Sequence, residues 1–216
     1  MNVRLIAVSK PVVEGINSGE ELISYCARVS NPSNQLNTET APKLLKYCIN
    51  HEHWSPFEHA SMTIEIETSR AIAAQILRHR SFTFQEFSQR YSEIHAIEPY
   101  ELRRPAVKNR QSSSDVIQTN ENGVFDIAHK AISAAHNAYD KLIKLGVAKE
   151  CARMVLPLTT QTTIYMTGSC RSFIHYITLR CKEDTQKEHR NIALKTRAIF
   201  VEQFPSIAAA LQWNND

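Results

Sequence analysis

Apolar and polar residues alternate most cleanly in residues 61–68, SMTIEIET. Met62, Ile64 and Ile66 fall on one side and Thr63, Glu65 and Glu67 on the other, which predicts a half-buried strand. The opening VRLIAVSKP predicts a strand stopped at Pro11, and TTIYMTG, residues 162–168, predicts another. Elsewhere the period changes to three and four. Phe125, Ala128, Ile132, Ala135, Tyr139 and Leu142 form one stripe along residues 124–146, which Gly146 ends as a helix stop. Shorter helical patterns cover GEELISYCARVS, ending near Ser30, and KLLKYCINH, entered by a Thr40 cap with Pro42 just inside. Ser69 caps RAIAAQILRH, with Ile72, Ile76 and Leu77 inward. AKECARMVLP stops before Pro157, and SCRSFIHYITLR returns to helix after a strand. Thr185 and Glu188 form a T-x-x-E capping box that opens a last helix to about Phe204. Residues 31–37 read as a loop. So does the polar segment 102–123, expected to be mobile and poorly ordered without substrate. The sum is an α+β fold, helices packed on a modest, mainly antiparallel sheet.

Composition narrows the class. The 216 residues fit a single domain, 1–216, long enough to bury a core, and 43% hydrophobic against 22% charged is globular. A net charge of +3 is too small for bulk nucleic-acid binding, but the positive residues cluster in 78–90, 103–110 and 171–197, as suits anionic small molecules. No apolar run approaches the roughly 20 residues of a membrane span, and the N-terminus lacks a signal-peptide cleavage pattern. Cys26, Cys48, Cys151, Cys170 and Cys181 are odd in number and form no C-x-x-C pair, which predicts a reduced, cytoplasmic protein without a zinc cage. Cys170 and Cys181 read as buried, inert thiols.

The segment RHRSFTFQEFSQRY, residues 78–91, carries too much charge for a core and too many rings for a solvated face. Gln75, Arg78 and His79 lie within one helical turn and crowd one end. Beyond Ser81 the pattern is extended, so Glu86, Ser88 and Arg90 point the same way at spacings of about 7 Å. An arginine fork beside a hydroxyl suits phosphate oxygens, and a carboxylate one step on suits a sugar hydroxyl or an amide. The layout fits a nucleoside monophosphate. The plainer reading is a surface ladder pair of arginine and glutamate, worth under about 1 kcal/mol.

Arg78, His79, Arg80 and, seven residues on, Ser88 resemble the signature of the flavin-dependent thymidylate synthases. The longer family pattern R-H-R-x-x-S-x-N-E-x-S-x-R-Y is matched also at Glu86, Arg90 and Tyr91, with Thr83 for serine and Gln85 for asparagine. ARVS, HWSPFEH, ARMVLP and RSFIHYITLR resemble further family segments in family order. The resemblance implies thymidylate formation from deoxyuridylate (dUMP). Methylenetetrahydrofolate would supply one carbon, and flavin adenine dinucleotide (FAD), reduced by NADPH, the hydride. It implies that Arg78, His79 and Arg80 bind flavin, with Glu86 between flavin and nucleotide. Ser88 and Arg90 would hold the nucleotide phosphate, helped by Gln75 and Arg153. Arg78, Phe87 and Gln89 join that substrate site. Arg180 is the implied catalytic residue, set against uracil to favour ionisation at N3. Ser55, His53 and Arg171 would contact flavin. Ser169 and His175, where relatives often carry asparagine, stand at two more flavin positions and can still hydrogen-bond. The resemblance further implies a homotetramer with sites shared between subunits.

Two other classes compete. HEHWSPFEH offers His51, His53, His59, Glu52 and Glu58 to a metal-dependent hydrolase. Arginines among Phe82, Phe84, Phe87 and Tyr91 could stack nucleic-acid bases, although signatures of the single-strand and RNA-binding folds are missing.

Overall fold

The computed structural model describes residues 1–93, 96–109 and 111–213. It is an α+β fold. Strands β1 (Asn2–Val8), β2 (Ser61–Ser69), β6 (Gln161–Ser169) and β3 (Thr83–Glu86) lie side by side in that order, each neighbouring pair antiparallel. Alternation explains β2. Met62, Ile64 and Ile66 are buried, and on the other face Glu65 pairs with Arg4 across the ladder at 2.9 Å. A hydrogen bond from Tyr165, then Arg4, holds the Glu65 carboxyl below the usual carboxylate range.

β2 and β6 pair without a slip from Ser61↔Ser169 to Ser69↔Gln161, and each runs straight into a helix, α3 (Arg70–Ile76) or α6 (Cys170–Arg180). The last serine of each strand is the cap: Ser69 Oγ accepts from the Ile72 amide and Ser169 Oγ from the Ser172 amide. Antiparallel pairing sends the helices off opposite ends. At 11 residues, α6 is about 16 Å long, enough to carry Arg180 back toward the end of α3. Helix α7 (Lys187–Gln203) covers α6 and β1, and Phe173, Tyr176, Ile192 and Phe200 are fully buried in the resulting core.

Several expectations change. Ile72 and Ile76 are buried, but Leu77 is the cap residue past α3 and lies exposed. Thr40 precedes α2 (Ala41–Asn50) without capping it, because Arg28 claims its hydroxyl at 2.7 Å. The T-x-x-E box at α7 does not form. Gln186 is the cap residue, and Arg103 takes the Glu188 carboxylate in a two-pronged bond at 2.6 and 2.8 Å. The segment expected as a mobile loop contains a two-stranded ribbon, β4 (Arg103–Pro105) with β5 (Ser113–Val116), which that ion pair fastens to α7. Arg110, in the second basic cluster, lies outside the described residues. α8 (Pro205–Ala210) has no counterpart in the sequence reading. It is capped from afar by Glu20 of α1 (Gly19–Ala27), whose carboxylate accepts from the Ile207 amide at 2.7 Å. The long helix α4 (Val124–Lys144) forms as expected, with Tyr139 fully buried and the rest of its stripe half-buried.

Gly168 sits where β6 passes under Phe82, and a Cβ there would fall 2.4 Å from Phe82 Cδ1. Gly168→Ala is expected to cost about 1–3 kcal/mol by overpacking, read as a lowered urea midpoint at unchanged slope. An unchanged midpoint would show that Phe82 yields freely.

Candidate functional site

Three neighbourhoods receive the residues singled out in the sequence. The first lies where α3, α6 and α7 meet. His79 follows α3, its amide still bonded to the Ile76 carbonyl, and its ring stands edge-on to Tyr176 with centroids 5.1 Å apart. Arg180, in the last turn of α6, donates from Nε to His79 Nε2 at 3.0 Å. A guanidinium only donates, so that nitrogen carries no proton and His79 is the neutral Nδ1–H tautomer. Burial, then the charges of Arg180 and His175, push His79 down to about 4. His189, fully buried on α7, is likewise pushed down to about 4 by burial and then by Arg180 and His79. Gln75 reaches this cluster, its Oε1 3.2 Å from His189 Nδ1.

The second neighbourhood is a trough in two lobes of about 620 Å³ each, which share Trp54 and Arg171. One lobe is lined by His175, Ile49 and Ile174, the other by His53, Ser55 and Tyr47. The turn of β6 into α6 aims Arg171 here, where Glu58 holds it at 3.1 Å. Ser169 stays behind as the α6 cap, its hydroxyl 3.1 Å from Ser172 Oγ. An apolar wall with a few arginine, histidine and hydroxyl groups along its edge suits a large flat ring carrying polar substituents.

The third is a notch of about 410 Å³ lined by Ser88, Arg90, Lys149 and Glu150. The sequence expected one extended face from Glu86 to Arg90. Instead β3 ends at Glu86, and the Ser88 carbonyl accepts from the amides of Tyr91 and Ser92, closing a turn. Glu86 therefore faces the sheet, accepting from Thr162 Oγ1 at 3.0 Å, while Ser88 and Arg90 turn into the notch. Arg90 Nε stands 3.8 Å from Glu150, and Arg153 Nε donates to the Glu150 carbonyl at 3.4 Å, so both arginines gather around one residue. Gln89 does not line the notch. Its side chain is turned inward, 2% exposed, with Arg70 donating to its Oε1 at 2.7 Å. Phe87 is partly exposed. Arg78 and Arg80 are exposed and form no ion pair among the described residues.

Sequence reading passed over His189, Tyr176, Gln186, Trp54 and Glu150. His189 had a signal: it lies three and four residues before Ile192 and Ala193, on the buried stripe of α7. The others gain their place only from contacts across the chain. The metal-hydrolase alternative finds no support. His51 stacks on Tyr47 with its Nδ1 2.9 Å from the Tyr47 carbonyl, and Glu58 is bound by Arg171. Among the described residues no cluster of three His, Cys, Asp or Glu could hold a metal. Burial pushes the Cys170 and Cys181 thiols up, away from nucleophilic use.

This arrangement has known counterparts. Residues 11–206 match the family model described as thymidylate synthase complementing protein. A probable flavin-dependent thymidylate synthase of Paramecium bursaria Chlorella virus 1 is 53% identical, covering 99% of this chain and 100% of that protein. A flavin-dependent thymidylate synthase of Synechocystis is 52% identical over the same shares. Among solved structures, a UMP/dUMP methylase PolB from Streptomyces cacaoi, bound with 5-Br dUMP, superposes with a TM-score of 0.82 at 26% identity, covering 98% of this chain and 94% of that one. Family pattern, full-length identity and shared fold agree, and the chain belongs to the thymidylate synthase complementing protein family, that of the flavin-dependent thymidylate synthases.

Proposed function

We propose that the chain methylates dUMP to thymidylate, taking one carbon from methylenetetrahydrofolate and reducing equivalents from NADPH through FAD. The observation that carries this is identity above one half, end to end, with two relatives bearing that name. Bound flavin would supply the hydride chemistry. The trough fits it: Trp54 and Ile174 offer the apolar wall, and Arg171, His175, His53 and Ser55 the polar contacts. Ser169 and Glu86 would act at its margins, with Arg78, His79 and Arg80 closing over the phosphates.

The notch suits the nucleotide phosphate. Ser88 and Arg90 present a hydroxyl and a guanidinium side by side, and Arg153 adds a second cation. Glu86 and Gln75 would meet the sugar and its phosphate, with Phe87 beside them. Arg180 would stand against uracil. Its Nε is spent on His79, which fixes the direction of the remaining fork. A fixed cation beside N3 lowers the cost of charge appearing there and needs no rearrangement at the moment of reaction. Neutral His79 adds no competing positive charge.

Trough and notch have no lining residue in common within one protomer, which favours a homotetramer whose subunits complete each other's sites. The exposed Met154 and Leu158, 78% and 67% accessible, suit such contacts. Among the described residues no helix is long and apolar enough to cross a membrane. With its free thiols the chain suits the cytoplasm, and the family match over 11–206 supports one domain over 1–216.

The test is to purify the protein, record its absorption spectrum and measure tritium release from 5-tritiated dUMP. Flavin absorbance, and release that depends on NADPH and methylenetetrahydrofolate, are expected. Colourless protein that stays inactive after FAD is added would overturn the reading.

A further inference from the structure

A line of side-chain hydrogen bonds runs from the surface ribbon to the buried cluster. Arg103 grips both oxygens of Glu188. Gln186 Nε2 donates to Glu188 Oε2 at 3.0 Å. Gln75 Nε2 donates to Gln186 Oε1 at 2.7 Å, and Gln75 Oε1 faces His189 Nδ1 at 3.2 Å.

The sense of this line is not arbitrary. Burial pushes the Glu188 carboxyl up, but the Arg103 hydrogen bonds prevail and hold it below the usual carboxylate range. An ionised carboxylate only accepts. Gln186 must therefore present its NH₂ to Glu188 and its carbonyl to Gln75. Gln75 must present its NH₂ to Gln186 and its carbonyl to His189. His189 must then carry its proton on Nδ1. Flipping any one amide would set donor against donor or acceptor against acceptor at two contacts. One N–H of Gln75 remains uncommitted, on a half-buried side chain.

We propose that His189 is a positioning residue for the nucleotide, holding the Gln75 amide so that its free N–H faces the substrate, with the Arg103–Glu188 pair setting the direction of the whole line. The proposal rests on the reading of Gln75 as a nucleotide contact. His189 touches no reacting atom. It acts through Gln75, and its Nε2 is buried without a protein partner beside the His79 and Tyr176 rings.

The experiment uses the flavin-loaded protein and four variants. His189→Leu removes the donor and is expected to raise the dissociation constant and KM for dUMP about 5–10-fold, the loss of roughly one hydrogen bond, with flavin content unchanged and kcat moved less than KM. His189→Asn places an amide N–H near the Nδ1 position and is expected to recover most of the loss. Glu188→Gln, which can present either a donor or an acceptor, is expected to raise KM for dUMP by a smaller factor. ¹⁵N chemical shifts of the His189 ring in the wild type should report the Nδ1–H tautomer.

Wild-type dUMP affinity in His189→Leu would overturn the proposal, as would a folded His189→Asn no better than leucine. An Nε2–H tautomer in the wild type would overturn it too, even if the leucine variant fails to fold. Wild-type protein that binds flavin but not dUMP would instead sink the functional reading on which it stands. Normal dUMP binding by Gln75→Ala would remove the contact on which His189 is held to act, and the proposal with it.

Discussion

Arg180→Ala is expected to retain NADPH oxidation while thymidylate formation falls about 10²–10³-fold, the usual loss when one prepositioned donor to a developing negative charge is removed. The variant takes away two things together. One is the guanidinium fork proposed to stand against uracil, and the other is the hydrogen bond from Nε to His79 at 3.0 Å. The second loss gives an independent readout. Arg180 is the largest cause after burial that holds His79 and His189 down near 4. Removing a nearby cation favours the charged imidazolium, so both histidines should titrate at higher pH in the variant, an upward move visible in their ring NMR signals. Arg180→Lys should not restore turnover, because an ammonium cannot bond His79 and present a planar fork together. Normal thymidylate formation in Arg180→Ala would assign the role elsewhere. Unmoved histidine titrations would show that the contact has little electrostatic weight.

The second large effect is expected at the notch. Arg90→Ala should weaken dUMP binding about 10–100-fold, in line with the roughly 1.5–3 kcal/mol of a hydrogen bond to a charged partner. Flavin binding should stay within twofold, because Arg171, Ser55 and His53 belong to the trough and share no contact with Arg90. The loss has two sources. The cation that would meet the phosphate disappears, and Glu150, 3.8 Å from Arg90, is left facing the incoming anion. Glu150→Gln is therefore expected to move dUMP affinity the other way, tightening it or leaving it unchanged. Titration of dUMP into flavin-loaded protein, followed by calorimetry, separates these outcomes. Equal loss of dUMP and flavin in Arg90→Ala would show that the notch and the trough are not the separate sites assigned above.

Legibility in the sequence followed the range of the forces involved. The β2 alternation, the α4 stripe and the Ser69 cap are set by neighbours within a few positions, and the structure keeps all three. Caps failed where a distant group intervened. Thr40 gave its hydroxyl to Arg28, and Glu188 gave its carboxylate to Arg103, eighty-five positions away. The same applies to the site. The basic, ring-rich run 78–91 predicted one extended face, but that face did not reach Arg90, because the Ser88 carbonyl closes a turn that side-chain alternation cannot show.

By itself the chain determined the strands of its main sheet, most of its helices, its locally basic character and the residue types able to grip a phosphate and a flat ring, because periodicity and side-chain chemistry are local properties. Folding decided that Arg180 meets His79, that Gln89 turns inward while Ser88 and Arg90 face outward, and that a buried histidine ends a hydrogen-bonded line begun in the ribbon. These depend on which donors and acceptors remain unclaimed once the sheet and helices have packed. That allocation is a competition among groups far apart in sequence, and only their positions in space settle it.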